Sequence, residues 1–496
     1  MNPCFREDDG IDSFVCFKVT SSKALKYGEL WQNYSMKVAS AKTNTITATC
    51  PACGLLCDDV LVENNNNKIK VLKNGCAKSV SFFEQPIIDI SAQINGKPAT
   101  LQQAIAHAAK LLKASQQPLF AGLSTDVQGF RAIYNLCQRA NRTHQSNIQH
   151  MNAQSMARNL KVLQSTGWQT TTLTEVKNRA DVIVCFGDIK QHNPRFFERF
   201  VDIDGMFVKA KQREIIFIGE NCDRNIHSKA EISPKASPPS LLACRADALP
   251  EITLVLRALV AGKQLKATEV AGVKISDLQA LADKLKNAKY AVLAWVAKDL
   301  DYPHAELTIQ NITEIVAILN QKTRAAGLPL GGSDGDTTAN NANTWLSGLA
   351  LNNDAIECDL VVWVNSFSPD ALISKQPSET DKPLIIIGNA APLPRFRAPS
   401  PAYGRGLLSE AELNPSPLNE RGVEDRGDAP QTPDVFIPVA TPGLDCSGTL
   451  FRLDSAVILP LKKVRENDLP TLNAVASQIE ALLWNQLSPS TVILRL

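Results

Sequence analysis

Short segments of β character open the recognisable part of the chain. They occur at residues 46–49, 59–63 and 68–72. The last two are joined by the asparagines at 64–67, which tolerate positive φ in a tight turn. The pattern therefore predicts a small antiparallel β unit.

A different pattern, in which strands alternate with helices, begins at residue 101. Leu101–Ala114 carries apolar residues at helical spacing, residues 118–121 predict a short buried strand, and residues 126–141 are helical again. Five further apolar strands, each ending near Gly, Asp or Asn, are predicted at residues 181–186, 214–219, 289–296, 358–364 and 384–388. This alternation predicts parallel, doubly wound sheets.

The alternation stops between residues 398 and 433, which are rich in Pro, Gly, Ser, Asn and charged residues. Such a segment is typical of a flexible insertion with solvated charges. Beyond it, residues 434–439 and 450–461 return to β character, and residues 469–483 predict a closing amphipathic helix.

A chain of 496 residues is too long for one ordinary core and suits about three domains. Residues 1–43 show no clear periodicity and predict an extension, with Met36 as an alternative start. The other predicted units are a small β unit at 44–88, a discontinuous first α/β domain at 89–150 with 335–398, a second α/β domain at 151–334, a flexible insertion at 399–433 and a C-terminal β/α segment at 434–496.

Composition narrows the classes of function. With 44% hydrophobic and 21% charged residues the chain is globular, and no apolar run approaches the roughly 20 residues that cross a bilayer. Fifty-two basic residues against fifty acidic ones give a net charge of +2, so neither nucleic acid nor a membrane is an expected partner. The first residues resemble no signal peptide, and we therefore expect a cytoplasmic protein.

Four of the twelve cysteines give the strongest chemical signal. Cys50, Cys53, Cys57 and Cys76 form a C-x2-C-x3-C-x18-C array at the edge of the small β unit. Four thiolates placed in this way can surround a [4Fe–4S] cube. Structural zinc also accepts four cysteines, but its usual second C-x2-C pair is missing. A cluster, a zinc ion and an empty relic of either site remain alternatives at this point.

We expect the other candidate metal ligands and acids to have structural roles. The remaining cysteines are scattered, and several lie within apolar strands or helices. The six histidines are dispersed, without an H-x-H or H-E-x-x-H pair, so a zinc hydrolase site is not expected. We interpret Asp58 and Asp59, beside the third cysteine, as solvated or strand-capping.

Two strand ends are candidates for binding a nucleotide. Gly187, Asp188 and Asn193 follow an apolar strand, where a dinucleotide arm lies in some doubly wound sheets, but an ordinary turn is the alternative because G-x-G-x-x-G is absent. Residues 331–336 are rich in glycine yet lack the lysine of a phosphate-binding P-loop, and they predict a surface loop.

From about residue 46 onward the chain resembles the iron–sulfur/molybdopterin oxidoreductases, and within them the B subunits of formylmethanofuran dehydrogenase. The resemblance rests on the four cysteines, on Lys78 two residues after the last of them, and on segments 120–124, 344–348, 436–443 and 448–452. It implies an α/β fold in which a small iron–sulfur β unit precedes doubly wound parallel-sheet domains. It also implies a [4Fe–4S] cluster, with Lys78 between the cluster and a molybdopterin guanine dinucleotide that Gly187, Asp188 and Asn193 would contact.

The sequence departs from this family where molybdenum or tungsten is bound. Gln128 stands where the resemblance places the metal-ligating cysteine or selenocysteine, and Gly129 replaces the acid beside it. A neutral carboxamide cannot replace an anionic soft ligand. Cys137 is no substitute, because nine residues of helix rise about 13 Å. The family's later Asp-His pair is Asp445-Cys446 here.

These departures favour the bacterial relatives of the family. By resemblance we expect the B subunit of a formyltransferase/hydrolase complex in tetrahydromethanopterin-linked one-carbon metabolism, a component of an enzyme complex whose own redox site is lost. The resemblance implies three kinds of partner, namely a formyltransferase subunit, an amidohydrolase-type subunit and a further subunit. Two alternatives stay open: a catalytic molybdopterin subunit of formylmethanofuran dehydrogenase, and a zinc-stabilised interaction module.

Overall fold

A computed structural model describes residues 44–87, 91–141, 147–220, 239–351, 357–367, 382–389 and 433–484. The chain divides into two units at Asn44, and the elements below all belong to the second unit, Thr45–Leu496. The predicted extension at 1–43 and nearly all of the predicted insertion at 399–433 lie outside the described residues.

The strands of the described chain form five sheets, two of them large. In chain order the strands are β1 Thr45–Ala48, β2 Val60–Asn65, β3 Lys68–Lys73, β4 Gln93–Ile94, β5 Lys97–Pro98, β6 Pro118–Ser124, β7 Ile148–His150, β8 Val182–Phe186, β9 Glu214–Ile218, β10 Ser240–Leu242, β11 Glu269–Val270, β12 Val273–Lys274, β13 Ala291–Trp295, β14 Ala325–Pro329, β15 Leu360–Asn365, β16 Leu384–Gly388, β17 Val435–Pro438, β18 Gly448–Phe451 and β19 Ile458–Leu461.

Helices connect most of the parallel strands. They are α1 Ala77–Phe83, α2 Leu101–Ala114, α3 Val127–Ala140, α4 Ala153–Ser165, α5 Leu173–Arg179, α6 Ile189–His192, α7 Phe196–Phe200, α8 Leu249–Val260, α9 Ile275–Asn287, α10 Glu306–Leu319, α11 Asp336–Ser347 and α12 Leu472–Trp484. None of the described helices is both long and apolar enough to cross a membrane.

The small β unit is an antiparallel sheet of β1, β2 and β3 in that order. The predicted asparagine turn joins β2 to β3, and Asn66 and Asn67 there have φ of 52° and 65°. Asparagine accepts this left-handed conformation more readily than most residues because its side chain bonds locally. In this turn the backbone amide of Asn67 donates a hydrogen bond to the side-chain Oδ1 of Asn64 at 2.9 Å.

The larger sheet has seven strands in the order β5-β4-β17-β16-β15-β6-β7. The five from β17 to β7 are parallel, and β4 joins them antiparallel to β17. Strand β15, the middle one of these five parallel strands, is buried along its whole length, as expected when helices cover both faces of a sheet. The crossover connections reverse direction between β6 and β15, which is the point where ligands bind in sheets of this order.

The second large sheet has five parallel strands in the order β10-β9-β8-β13-β14. Its reversal point lies between β8 and β13. The phenylalanines of α7 pack in one hydrophobic core with strands of this sheet and with residues of the small β unit. That shared core positions the cysteines beside the carboxyl end of the five-stranded sheet. The predicted parallel α/β architecture is thus confirmed.

Candidate functional site

The first three cysteines lie on the loop between β1 and β2, and the fourth lies where α1 begins. The loop folds back on itself, because the amide of Cys50 donates to the carbonyl of Cys57 at 2.9 Å and the amide of Leu56 donates to that of Cys53 at 3.2 Å. Cys76 caps the N-terminus of α1. The first three side chains are buried and the fourth is half-buried, all as free thiols.

The four thiols surround one small cavity in the fold. Burial and the neighbouring thiols raise the pKa of Cys50 well above its ordinary value and that of Cys53 to about 11. Within the described residues, no three His, Cys, Asp or Glu side chains converge closely enough to ligate one metal ion. Four thiols that line one cavity are the type of donor set that would hold a [4Fe–4S] cube, and the iron charge would favour their thiolate forms.

Arg195, directly before α7, lines this cavity, and Arg199 lies one helical turn further along. Arg195, whose side chain is 5% exposed, forms a bidentate pair with Asp59 at 2.7 and 2.9 Å. Arg199 pairs with Asp58 at 2.6 Å. Although burial opposes ionisation, the hydrogen bond from Arg195 and the charge of Arg199 hold the pKa of Asp59 below its usual value. Asp58, whose side chain is 55% exposed, is solvated as predicted, whereas the ion pair between the half-buried Asp59 and Arg195 was not predicted from the sequence.

Lys78 reaches from the cysteines toward the five-stranded sheet. Its Nζ donates to the carbonyl of His192 at 2.8 Å. Burial lowers the pKa of Lys78, with Cys53 and Asp334 acting in the opposite direction and Lys298 in the same direction. The lysine thus lies between the cysteine cavity and a polar group at the sheet edge.

That polar group includes the three residues predicted to contact a dinucleotide. Gly187, Asp188 and Asn193 follow β8 at the reversal point of the five-stranded sheet. Asp299 contacts this segment at two points. Its Oδ2 accepts a hydrogen bond from the backbone amide of Asp188 at 2.7 Å, and its Oδ1 pairs with Nε2 of His192 at 2.7 Å. The structure brings these residues together, and a dinucleotide at this crevice stays a prediction.

The glycine-rich residues 331–336 are not the surface loop that the sequence predicted. Gly332 and Gly335 are buried, and Gly54 of the cysteine loop packs against the chain at Gly331. A Cβ atom on Gly54 would lie 2.2 Å from the carbonyl oxygen of Gly331. Asp336 closes the loop by accepting from the amide of Gly332 at 2.7 Å. Sequence reasoning missed this contact because the two loops are distant in the chain.

The start of α3 lies at the reversal point of the seven-stranded sheet. Asp126 caps the helix by accepting from the amide of Gly129 at 2.9 Å, and Gln128 in the first turn is exposed. Next to it, the buried hydroxyls of Ser124 and Ser366 have no hydrogen-bond partner within the described residues. Groups of this kind usually bond to an ordered water or a ligand. Sequence reasoning assigned no role to these serines, and the structure places Ser124 at the end of β6 and Ser366 directly after β15.

Two other cysteines lie on or near α3, and neither is an accessible thiolate. Cys137 is fully buried on the core side of the helix, and burial raises its pKa to about 12. Cys446 is half-buried within electrostatic reach of Asp126. Burial, followed by the charges of Asp126 and Asp445, raises the pKa of Cys446 to about 12. Both thiols are therefore protonated at neutral pH.

Curated proteins match most of the chain, whereas no family model matches it. It is 24% identical over 434 residues to the B subunit of "Tungsten-containing formylmethanofuran dehydrogenase 2" of Methanococcus maripaludis, a match that spans 84% of this chain and 92% of that protein. The protein of the same name from Methanocaldococcus jannaschii is 25% identical over 431 residues, with the same coverage. The chain is a homologue of the formylmethanofuran dehydrogenase B subunit.

A shorter match links this homologue to a bacterial protein. The B subunit of the "Formyltransferase/hydrolase complex Fhc" of Methylorubrum extorquens is 34% identical over 99 residues, which are 20% of this chain and 26% of that protein.

Two solved structures share the fold. A chain of the formyltransferase/hydrolase complex FhcABCD from Methylorubrum extorquens, solved with methylofuran, has a TM-score of 0.58 at 21% identity over 79% of this chain and 98% of that chain. Acetylene hydratase from Pelobacter acetylenicus has a TM-score of 0.52 at 10% identity over 88% and 69%. The chain therefore shares the fold of these two structures, with the parallel α/β sheets that the sequence predicts.

Proposed function

We propose that this chain is the B subunit of a formyltransferase/hydrolase complex in tetrahydromethanopterin-linked one-carbon metabolism, with a structural role and no molybdenum or tungsten redox centre of its own. The complex would pass a formyl group through a methanofuran-type carrier to formate. The observation that carries the proposal is the exposed carboxamide of Gln128 in the first turn of α3.

Gln128 occupies the position at which the family resemblance places an anionic sulfur or selenium ligand. Its side chain is neutral, and molybdenum and tungsten in this family are held by a soft anion. The two described thiols on or near α3 do not supply one, because Cys137 faces the core and Cys446 is held protonated by burial and neighbouring carboxylates. The chain can therefore keep the fold of the family without keeping a protein ligand for molybdenum or tungsten.

The cysteine array supports a retained [4Fe–4S] cluster, held by Cys50, Cys53, Cys57 and Cys76. When bound, such a cluster accepts or donates one electron. A single zinc ion needs four sulfurs about 2.3 Å from one centre. No three of the described His, Cys, Asp or Glu side chains converge on one point in this way, which supports the cluster over zinc. In this proposal the cluster fixes the small β unit against the five-stranded sheet.

The catalytic steps then belong to other subunits. We propose a formyltransferase subunit, an amidohydrolase-type subunit and one further subunit as partners in the cytoplasm. The solved relative comes from an assembly of several chains, FhcABCD, which supports a chain of this fold working inside a larger complex.

A pair of assays on the purified complex tests this function. We expect hydrolysis of the formyl group from formyl-tetrahydromethanopterin to formate, and no dye-linked oxidation of formylmethanofuran. A loss of formate production on removal of this chain, restored by adding it back, would support a structural role. Dye-linked oxidation that depends on this chain would refute it.

The second candidate is a catalytic subunit of formylmethanofuran dehydrogenase, in which pterin dithiolenes alone hold the metal. Two observations favour it: the tungsten-containing relatives match 84% of the chain, and the buried hydroxyls of Ser124 and Ser366 lie unpartnered within the described residues at a ligand-binding sheet edge. The oxidation assay above separates the two candidates, because only this one predicts activity with a dye.

A further inference from the structure

Residues 331–336 form a junction loop at which three parts of the fold meet. The junction loop follows β14 of the five-stranded sheet. Gly332 packs on the cysteine loop, since a Cβ atom on it would lie 2.5 Å from Cα of Gly54. Gly335 packs on the chain just before α3, since a Cβ atom on it would lie 2.8 Å from the carbonyl oxygen of Thr125. A change in this loop therefore alters contacts with the cysteine loop and with the seven-stranded sheet.

The junction loop contains a strained residue that hydrogen bonds hold in place. Asp334 has a φ of 56°, a left-handed conformation that costs energy for a residue other than glycine. Such a conformation persists only where its surroundings fix it. The carbonyl oxygen of Asp334 lies 3.1 Å from Nε2 of His150, the last residue of β7, and Nδ2 of Asn152 donates to the carbonyl of Ser333 at 3.2 Å. The end of β7 thus holds the loop at its strained point.

The proton positions on His150 follow from its two partners. Its side chain is buried, and Nδ1 accepts a hydrogen bond from the backbone amide of Asn152 at 3.0 Å. Nδ1 therefore carries no proton, and Nε2 carries the proton that it donates to the carbonyl of Asp334. Both bonds form together only with a neutral imidazole, because a doubly protonated ring has two donors and no acceptor.

Charged groups face His150 from two elements. Asp334 and Asp336 belong to the junction loop, and Lys298, whose Nζ lies 3.6 Å from Oδ2 of Asp334, follows β13. Burial lowers the pKa of His150, the two carboxylates act in the opposite direction, and Lys298 acts in the same direction as burial. An opened loop exposes the ring to water and binds the second proton first. The closed loop therefore loses stability as the pH falls below 6.5, the ordinary pKa of histidine.

We propose that His150 is a pH-sensitive latch that ties the junction loop to the seven-stranded sheet. Uptake of one proton from water at Nδ1 breaks the bond with the amide of Asn152 and releases the loop. Because Gly54 packs on the same loop, its release also loosens the cysteine loop. The latch consists of bonds within this chain and does not depend on the proposed function.

Hydrogen exchange followed by mass spectrometry tests the latch on the purified complex between pH 7 and 5, with the rates corrected for the pH dependence of intrinsic exchange. We expect protection of peptides covering the junction loop and Gly54 to fall by up to about tenfold per pH unit below the ordinary pKa. Peptides covering β15 should keep their protection. In His150→Gln the side chain can make both bonds but does not titrate, so protection should be constant. His107→Gln, a half-buried histidine on α2, should behave like wild type.

A second variant keeps the test decisive if His150→Gln does not fold. His150→Asn keeps an acceptor near the position of Nδ1 but is too short to reach Asp334, so we expect low protection at every pH. A wild-type junction loop with constant protection from pH 7 to 5 overturns the latch, as does a fall in the His150 variants equal to that of wild type. Loss of protection in β15 over the same range would indicate general unfolding and would also overturn it. None of these readouts involves a metal, so failure of the latch leaves the proposed function intact.

Discussion

Gly54 shows how closely the cysteine loop approaches the five-stranded sheet. A Cβ atom at this position would lie 2.2 Å from the carbonyl oxygen of Gly331 and 2.8 Å from Cα of Gly332. Both are backbone atoms, which cannot turn aside as a flexible side chain does. The loop that carries three of the cysteines can therefore take its place only with glycine at residue 54.

We predict that Gly54→Ala lowers the stability of the chain by about 1–3 kcal/mol through overpacking and reduces its iron content. Thermal unfolding and iron analysis of the purified complex measure both effects. Gly331→Ala is the control, because the nearest atom to its added Cβ is 3.8 Å away. Equal stability and iron content in the two variants would contradict the proposed contact.

The cysteines give a second prediction at this scale. Cys50→Ser should abolish the visible absorption of the proposed cluster and its paramagnetic signal after reduction, because a serine oxygen is a poor substitute for a buried thiolate ligand. Cys358→Ser, a half-buried cysteine outside the array, should retain both. Retention of a full cluster in Cys50→Ser would remove that residue from the ligand set.

At the scale of elements, the sequence predicts best the individual strands, which depend only on residues close together in the chain. The apolar runs that became β8, β13, β15 and β16 are short and buried on both faces, so each can be recognised without its neighbours. Their order in the sheets cannot be recognised in this way, because pairing depends on distant parts of the chain. The same reason explains the error at residues 331–336, where Gly332 is buried against Gly54 and Gly335 against Thr125 rather than at the surface.

One carboxylate illustrates a distant pairing between two strand starts. Asp359, just before β15, accepts hydrogen bonds from the amides of Gln116 and Gln117 before β6, at 2.7 and 3.1 Å. Burial alone would raise the pKa of Asp359, but these hydrogen bonds lower it below its ordinary value of 3.8. The ionised form therefore stabilises the fold at neutral pH. This contribution disappears as the pH falls from about 3.8 through the lower folded pKa.

We predict that Asp359→Asn destabilises the chain at neutral pH by about 1 kcal/mol, a value limited by the exposure of the carboxylate to water. The difference from wild type should shrink as the pH falls below the ordinary pKa of aspartate. Chemical unfolding across that pH range measures it. Glu357→Gln, an exposed neighbour, should follow the wild-type curve, and a constant difference at all pH values for Asp359→Asn would refute the assignment.

At the scale of the whole molecule, some features of the candidate site can be recognised from the sequence and others only from the structure. The spacing of the four cysteines and the substitution at Gln128 can be read from the sequence, since each is a matter of residue identity. The charges around the cysteines cannot, because Arg195 and Arg199 lie at helix α7, far along the chain, and reach Asp59 and Asp58 only in the fold. We propose on this basis that the chain keeps its fold and its four-cysteine array, with Gln128 at the position where the family resemblance places the protein ligand of a catalytic metal.

Metal analysis of the anaerobically purified complex is the most direct test of this account. Inductively coupled plasma mass spectrometry should find about four iron atoms for each copy of this chain, the number in one cube, and neither molybdenum nor tungsten with pterin. Stoichiometric molybdenum or tungsten bound to this chain would contradict the proposed loss of the redox centre.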